Sequence, residues 1–437
     1  MMAELSLEQQ AKVRAMLKEG KSHVEIARIL NVSSLVISAF ATSKQLTELS
    51  EEQTSVASAP HNTLNLPKGR GSEHFAGVLI GVQENGEQVY WDPFSSSNPH
   101  LMVVGESGTG KTYALTAILA ELWKQRLPSF IIDYSNSFAK DKFPVSIQRS
   151  GYLKELKVVS EGLRLNPMQI RLEDVKGPTS VAVRIAETIH RIYNPGHQQR
   201  AVLVEAIIEV FRRHGITDES TTWALPAPHL SALGTYLDEL SQDEEFPRRS
   251  TADTLRARIS DLFVYDIFRP DGLQFDWQTA LDEKGITILQ LQGLEGLTKK
   301  VVVEFLLWDL FGFMMDTGEK PLTAFVVLDE AHNLSFGDTA PIGKILREAR
   351  KFGLGTIVAS QQPEDFSEVA MSNTNTKICF QVSAERGRFL KRIAARSGYP
   401  FEKLRVLLTT MGKYHAFVLA GNKGRSCRVL SFEERGF

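Results

Sequence analysis

One glycine-rich segment of this sequence carries the residue types that bind phosphate. Residues 105–112 read GESGTGKT and fit the pattern G-x-x-x-x-G-K-[ST] in full. Glycines in this pattern let backbone N–H groups curl around phosphate oxygens, and the helix that follows adds positive potential at its N-terminus. The lysine, Lys111, then reaches the β- and γ-phosphates, while the hydroxyl of Thr112 binds Mg²⁺. The segment therefore predicts a nucleoside triphosphate site formed by Gly105, Glu106, Ser107, Gly108, Thr109, Gly110, Lys111, Thr112 and Tyr113.

A second segment supplies two carboxylates. Residues 324–332 read AFVVLDEAH, so an apolar run leads directly into Asp329 and Glu330. Ligands of parallel sheets bind at the carboxyl ends of buried strands, which is where this pattern places both acids. We expect Asp329 to hold Mg²⁺, directly or through a water, and Glu330 to orient and polarise the attacking water. An acidic strand exit without a chemical role is the alternative, and His332 is open between a structural hydrogen bond and a part in catalysis.

A third segment ends in a polar side chain. Residues 347–363 read REARKFGLGTIVASQQP, in which a helix gives way to a strand and Gln361 emerges at the strand's tip. A polar group at that point senses the γ-phosphate by hydrogen bonding. Arg350 and Lys351 precede the strand, where they would reach phosphates bound by a neighbouring subunit of a ring. An arginine supplied in this way raises turnover by ~10³–10⁵. A solvated helix face is the alternative for both Arg350 and Arg347.

Apolar strand-like runs alternate with amphipathic helices around these segments. This alternation is typical of an α/β domain with a largely parallel sheet. A strand-like run enters the phosphate-binding segment and a helical pattern over 113–125 leaves it, which disfavours a glycine-rich turn that merely packs. Residues 76–91 predict a β-hairpin around Asn85-Gly86, and residues 174–271 predict a helical insert. The strand-like runs are 101–104, 130–132, 286–291, 325–328 and 356–359.

The first 46 residues predict a small all-α domain. A small residue at Ala27, a turn-former at Asn31 and apolar anchors at Ile37 and Phe40 have the types and spacing of a helix-turn-helix. Residues 47–75, which are rich in Ser, Thr, Pro and Glu, predict a flexible linker. We therefore expect a helix-turn-helix domain at 1–46, a linker at 47–75 and a nucleotide-binding domain at 76–437.

Composition limits the class of protein further. The chain has 437 residues, of which 43% are hydrophobic and 23% charged, as in soluble globular proteins. Its net charge of −2 means that any polyanion site must be local. Two cysteines without metal-ligand spacing favour a reducing cytosol. The longest apolar run, 301–315, is interrupted by Glu304 and Asp309, and the N-terminus lacks a signal-peptide core, so we expect a cytoplasmic protein without a membrane partner.

Four segments together resemble the HerA/FtsK superfamily, and they occur in the order found there. They are NPHLMVVGESGTGKT at 98–112, LNPM at 165–168, LDEAHNL at 328–334, and REARKFGL with ASQQP within 347–363. The resemblance covers about residues 76–432 and implies a RecA-like P-loop fold. It also implies a hexameric motor that uses ATP and Mg²⁺ to act on double-stranded DNA. In that motor Lys111, Thr112, Asp329, Glu330 and Gln361 take the roles given above, and Arg350 falls where conjugative coupling proteins carry a candidate arginine finger.

The sequence departs from the superfamily at three points. HerA begins with a β-barrel that docks a nuclease, whereas only the 76–91 hairpin is found here, so a nuclease or other effector is left open as a partner. FtsK and the coupling proteins usually carry N-terminal membrane helices, for which this sequence shows no candidate. Gln381 stands where HerA relatives often have a basic residue. Substitutes for a second arginine acting in trans are Arg386, Arg388 and Arg392.

Other functional classes agree less well with the sequence. Neither the Ser-Ala-Thr motif of two-lobed DEAH helicases nor the Leu-Ser-Gly-Gly-Gln signature of transporter ATPases occurs. A nucleotide-switched DNA-binding regulator, or an assembly ATPase that recruits an effector, stays open because of the helix-turn-helix. Its predicted recognition helix, residues 33–43, contains no Arg or Lys. A second open point is whether an arginine cluster in the insert contacts DNA or forms a solvated face; it comprises Arg248, Arg249, Arg256 and Arg258.

Overall fold

The computed structural model describes residues 77–95 and 98–437, together with the helical residues Lys12, Val13 and Met16. The chain divides into two units, residues 1–73 and 74–437, and the fold given below is that of the second. Apart from these three residues, the predicted helix-turn-helix and the predicted linker lie outside the described residues. The domain boundaries drawn from the sequence therefore stay a prediction.

The described part of the chain forms one eleven-stranded mixed sheet, ordered β2-β1-β11-β10-β9-β3-β8-β7-β4-β6-β5. The seven strands from β9 to β5 in that order are parallel to one another. The four strands from β2 to β10 pair antiparallel and extend the sheet at one side. The strands are β1 Val78–Val82, β2 Gln88–Trp91, β3 Leu101–Val104, β4 Ser129–Asp133, β5 Leu153–Lys157, β6 Ile286–Gln290, β7 Lys320–Leu328, β8 Phe352–Ser360, β9 Thr376–Cys379, β10 His415–Ala420 and β11 Lys423–Val429.

Helices connect these strands, and fourteen α-helices fall within the described residues. They are α1 Lys111–Lys124, α2 Val145–Gln148, α3 Val158–Glu161, α4 Pro178–Tyr193, α5 His197–Arg213, α6 Leu230–Gln242, α7 Arg249–Arg258, α8 Ser260–Tyr265, α9 Trp277–Asp282, α10 Gly296–Asp316, α11 Pro341–Glu348, α12 Glu368–Asn373, α13 Gly387–Ser397 and α14 Phe401–Thr410. Helices α4 to α8 occupy the segment for which the sequence predicts a helical insert. Among the described residues, no helix combines the length and apolar composition needed to cross a bilayer.

The central strands are apolar runs because helices cover both faces of the sheet. Every residue of β3, β4 and β6 is buried, as expected for parallel strands of an α/β fold. The predicted strands at 325–328 and 356–359 are correctly placed but too short: β7 and β8 each begin four to five residues earlier. The first residues of β7 are partly exposed, so their side chains give no apolar signal. The predicted hairpin is confirmed by the antiparallel pair β1 and β2.

Helix α10 is buried on nearly all sides, and the two acidic residues in its middle are paired there. Glu304 forms an ion pair with Arg191 of α4. Asp309 accepts hydrogen bonds from the Arg171 guanidinium at 2.5 Å and from the indole Nε1 of Trp277 at 2.7 Å. Buried charges are tolerated when they are paired and hydrogen-bonded in this way. These acids, which interrupt the apolar run at 301–315, therefore belong to the core rather than to a site.

The order of the strands gathers the predicted chemistry at one edge of the sheet. Strand β8 lies between β3 and β7, with Val104 opposite Ser360 and Leu328 opposite Val358. Because parallel strands all end at the same edge, the segments after β3, β4, β7, β8 and β9 meet there. This mixed, mainly parallel sheet with its flanking helices is the α/β class predicted from the sequence.

Candidate functional site

The glycine-rich segment after β3 forms a tight loop that ends on helix α1. Gly105, Gly108 and Gly110 have φ angles of 156°, 77° and 113°, which side-chain-bearing residues rarely adopt. A Cβ atom on Gly105 would lie 2.5 Å from Cβ of Phe380, and one on Gly110 would lie 2.8 Å from Cδ1 of Tyr414. The loop therefore needs glycine at these two positions both for its backbone angles and for the close approach of its neighbours.

Two side chains of the loop fold back on its own backbone. The Thr109 hydroxyl donates to the carbonyl oxygen of Glu106 at 2.8 Å, and the Lys111 ammonium donates to the same oxygen at 2.7 Å. Burial lowers the pKa of Lys111, while the negative charges of Asp329, Glu330 and Glu106 oppose that effect. The loop thus presents a partly desolvated ammonium group that faces carboxylates.

The two acids after β7 differ in their surroundings. Asp329 is buried, and its Oδ1 accepts the backbone N–H of Glu330 at 2.9 Å. Burial, and next the negative charge of Glu330, raise the pKa of Asp329 to about 6. Glu330 has a left-handed backbone with φ of 52°, a conformation that is uncommon for this residue type and is often found at functional sites.

The raised pKa of Asp329 carries a prediction for stability. An unfolded Asp has a pKa of ~3.9, so a folded pKa of about 6 means that ionising Asp329 destabilises the fold. This penalty is absent below the unfolded pKa and complete above the folded one. We expect Asp329→Asn, measured by urea unfolding in EDTA, to raise the free energy of unfolding by about 2–3 kcal/mol at pH 8, and the gain to shrink towards pH 4. A gain that does not depend on pH would contradict this cause.

The Glu330 carboxylate is contacted by Gln361, which follows the neighbouring strand β8, and by His332 of its own loop. The side-chain amide of Gln361 donates to Oε1 of Glu330 at 2.7 Å. Nδ1 of His332 lies 3.1 Å from Oε2 of Glu330 and 3.4 Å from the hydroxyl of Ser360. Gln361 and Glu330, which were predicted from separate segments, are therefore in direct contact. His332, whose role the sequence leaves open, lies beside the Glu330 carboxylate.

A further buried carboxylate, Asp133, was not predicted as a site residue. It ends β4, and its oxygens accept the backbone N–H groups of Ser135, Ser137 and Phe138 at 3.2, 3.1 and 2.9 Å. The side-chain amide of Gln290 donates to it at 3.0 Å. Asp133 thus fixes the loop that carries Ser137 into the site. The sequence does hold a signal for it, an acid directly after an apolar strand, as at Asp329.

The phosphate-binding loop and the polar residues after β7 and β8 line one open cleft of about 330 Å³ at the carboxyl edge of the sheet. The structure brings together Lys111, Thr112, Asp329, Glu330 and Gln361, as the sequence predicts. It adds Ser137, Lys413 and Tyr414, which sequence reasoning missed. The remaining lining residues are Ser107, Gly108, Gly110 and Tyr113. Gly105, Glu106 and Thr109 belong to the loop without lining the cleft.

The predicted arginines lie elsewhere. Arg350 is exposed on the turn Ala349–Lys351 just before β8, whereas Gln361 follows the other end of that strand. Nine residues of strand at ~3.3 Å each separate the two by about 30 Å. Arg392 forms an ion pair with Glu368, and Arg386 and Arg388 are likewise outside the lining of the cleft. Gln381 braces the phosphate-binding loop, since its carbonyl oxygen accepts the N–H of Glu106 at 2.8 Å.

Known proteins resemble this chain in sequence. Residues 77–310 match the family model described as the central domain of the helicase HerA. A probable helicase of Methanocaldococcus jannaschii is 23% identical over 72% of this chain and 58% of its own length. The DNA double-strand break repair helicase HerA of Sulfolobus acidocaldarius is 38% identical over 65% of this chain and 55% of its own length. The chain therefore spans a little over half the length of these curated relatives.

Solved structures share the fold. VirB4 of Thermoanaerobacter pseudethanolicus superposes with a TM-score of 0.66 at 18% identity, covering 84% of this chain and 100% of that one. The plasmid coupling protein TrwB in complex with ADP and Mg²⁺ gives 0.56 at 16% identity, covering 82% and 90%. At these identities the likeness shows a shared RecA-like P-loop fold. Because the family model spans more than half of the sequence, this chain belongs to the family of the HerA helicase central domain.

Proposed function

We propose that this protein is an ATP-driven motor that assembles as a ring, in the form of a hexamer, and acts on double-stranded DNA. The observation that carries the proposal is the meeting of the phosphate-binding loop, Asp329 and the Glu330–Gln361 pair in one cleft. The relatives described as helicases, one of them for DNA double-strand break repair, support DNA as the substrate.

The residues of the cleft divide the chemistry between them. Lys111, released from the carbonyl oxygen of Glu106, binds the β- and γ-phosphates of ATP. Glu330 accepts a hydrogen bond from the attacking water and orients it towards the γ-phosphate. Gln361 donates a hydrogen bond to Glu330 and would also reach the γ-phosphate. It would thereby couple the presence of the γ-phosphate to the position of the Glu330 carboxylate.

The cleft also suits Mg²⁺. This cation prefers oxygen ligands and binds through one or two carboxylates together with substrate phosphates. The Thr112 hydroxyl and the Asp329 carboxylate are such oxygens in the same cleft, and a buried carboxylate with a raised pKa gains from a nearby cation. Bound Mg²⁺ supplies charge neutralisation on the phosphates. Asp329, fixed through the N–H of Glu330, would hold the ion directly or through a water.

Arg350 fits a role only towards a neighbouring subunit. It lies about 30 Å from its own cleft, by the length of β8, so it does not reach its own nucleotide. It is exposed at the amino end of β8, so in a ring it would be accessible to the phosphates of the next subunit. We therefore assign Arg350 as the arginine finger acting in trans.

The distribution of charge favours one surface for DNA. Residues 386–428 contain eleven Arg and Lys but a single acidic residue, Glu402, in a chain of net charge −2. On α13, Arg388, Lys391 and Arg392 share the face opposite the buried side chains. We assign this basic face of α13 as the DNA contact, since phosphate contacts supply much of the affinity for a duplex.

All four arginines of the insert cluster are occupied within the chain, whereas on the α13 face it is Arg392 that forms an ion pair, with Glu368. Arg248 pairs with Glu205, and Arg256 pairs with Asp238 at 2.8 Å. Arg249 donates to the carbonyl oxygen of Ser241 at 2.7 Å, and Arg258 donates to that of Tyr193 at 3.2 Å. These contacts favour the alternative drawn from the sequence, in which the cluster is a structural and solvated face.

One experiment tests both the function and the surface. We expect a short DNA duplex to stimulate ATP turnover of the full chain several-fold at low salt. The double variant Arg388→Glu/Lys391→Glu should bind the duplex roughly tenfold or more weakly. The slope of log affinity against log salt concentration should fall by an amount that corresponds to about two phosphate contacts. The matched control is Arg248→Glu/Arg249→Glu, which makes the same charge change on the insert and should bind like the wild type.

The result that contradicts the motor is turnover that ignores duplex DNA in a particle that stays monomeric with ATP. A nucleotide-switched regulator, or an assembly ATPase that recruits an effector, would then be the better account. Equal loss of duplex binding in both double variants would leave the motor in place but remove the assignment of the α13 face.

A further inference from the structure

The loop between α14 and β10 is hydrogen-bonded to the phosphate-binding loop. The backbone N–H of Tyr414 donates to the carbonyl oxygen of Thr109 at 2.9 Å, and the carbonyl oxygen of Tyr414 accepts the N–H of Val429 at 2.8 Å. Tyr414 is thereby held with a φ of 61°, a left-handed conformation that a bulky side chain seldom adopts. Strain of this kind persists where the surroundings enforce it and is common at ligand sites.

The side chain of Tyr414 stays accessible despite this anchoring. Its ring packs edge-on against Tyr113, with centroids 5.3 Å apart, and lies against Gly110 so closely that a Cβ there would collide. Still, 37% of Tyr414 is exposed. The ammonium of Lys413 lies 4.9 Å from the centre of the same ring. An exposed aromatic ring with a cation beside it thus borders the cleft.

The cleft has two chemically different ends. In the sheet the strands run in the order β10-β9-β3-β8-β7. Gln361 and Glu330 follow β8 and β7 on one side of the phosphate-binding loop, which follows β3 and carries Lys111 and Thr112. Lys413 and Tyr414 precede β10 on the other side, where the Tyr414 ring packs against Tyr113. A triphosphate that runs from the acidic end across the loop brings its α-phosphate, and with it the nucleoside, to the aromatic end.

We propose that Lys413 and Tyr414 form the recognition surface for the nucleobase, with Tyr414 stacking on a purine and Lys413 adding a cation beside the stacked rings. The inference rests on the nucleotide site proposed above, in which no residue has yet been assigned to the nucleobase. Stacking is tolerant of base identity because every base has a π-face. The surface therefore favours a nucleoside triphosphate over a bare polyphosphate and binds ATP and GTP with similar affinity.

Binding measurements on three full-length variants test the proposal. Tyr414→Asn removes the ring yet suits a left-handed backbone, Tyr414→Phe keeps the ring, and Lys413→Gln removes only the cation. With Mg²⁺ present, we expect Tyr414→Asn to weaken ATP and GTP roughly 10- to 100-fold and to leave inorganic tripolyphosphate unchanged. Tyr414→Phe should bind like the wild type, and Lys413→Gln should lose roughly 2- to 5-fold.

Each contrary result has a distinct meaning. Unchanged ATP binding by Tyr414→Asn overturns the nucleobase assignment but leaves the nucleotide site in place. An equal loss of affinity for tripolyphosphate also overturns the assignment, because the loop would then act only by shaping the phosphate site. A wild type that binds neither ligand overturns the nucleotide site and this inference together. Photolabelling of the wild type with 8-azido-ATP needs no variant: labelling within 412–415 supports the proposal, and labelling confined to other peptides overturns it.

Discussion

Replacing Glu330 with Gln is expected to leave ATP binding near the wild-type level and to slow hydrolysis by roughly a hundredfold or more, the scale of losing a positioned general base. The amide of Gln has nearly the shape of the carboxylate and keeps an oxygen that can accept the hydrogen bond from Gln361. It lacks the negative charge that polarises the water. The measurements are ATP affinity by titration calorimetry and phosphate release at saturating ATP and Mg²⁺.

Binding should survive this change because the rest of the site gains from it. The charge of Glu330 is one cause of the raised pKa of Asp329, so its removal lowers that pKa and favours the ionised form that holds Mg²⁺. Repulsion between the cleft and the phosphates also falls. Glu319→Gln is the matched control, since Glu319 is exposed on the turn before β7. Turnover of Glu330→Gln close to that of this control would remove Glu330 from activating the water.

The parts of the site that are local in sequence were predictable. The phosphate-binding loop has three glycines and a lysine within eight residues, and its strand and helix lie directly beside it. Asp329 and Gln361 were found for a similar reason, since each follows a strand whose apolar run is visible in the sequence. That Gln361 touches Glu330 follows only from the strand order, in which β8 lies beside β7.

The parts that depend on distant pairing were not predictable. Lys413 and Tyr414 reach the cleft because β10 pairs with β9, and β9 pairs with β3. Neither residue belongs to a motif, and an aromatic residue before a strand is ordinary in a core. Strand β5 was missed for another reason: at the edge of the sheet, only one residue of LKELK is buried and three carry charges, so no apolar pattern is visible.

Replacing Lys111 with Ala is expected to weaken ATP binding by roughly a hundredfold or more, because charge-assisted hydrogen bonds to two phosphates are lost together. The loss is amplified by the neighbours of Lys111. Asp329, Glu330 and Glu106 all interact with its charge, so without the ammonium they face the triphosphate uncompensated. Equilibrium binding of a fluorescent ATP analogue measures the effect, and Lys124→Ala, at the far end of α1, is the control.

The same variant shows on which subunit Arg350 acts. Lys111→Ala subunits have a damaged cleft and an intact Arg350, whereas Arg350→Ala subunits have the reverse. If each site takes its arginine from a neighbour, rings of mixed subunits contain some interfaces with both parts intact, and ATP turnover should rise above that of either variant alone. No recovery at any mixing ratio would contradict action in trans, and unchanged ATP binding by Lys111→Ala would contradict the phosphate-binding loop itself.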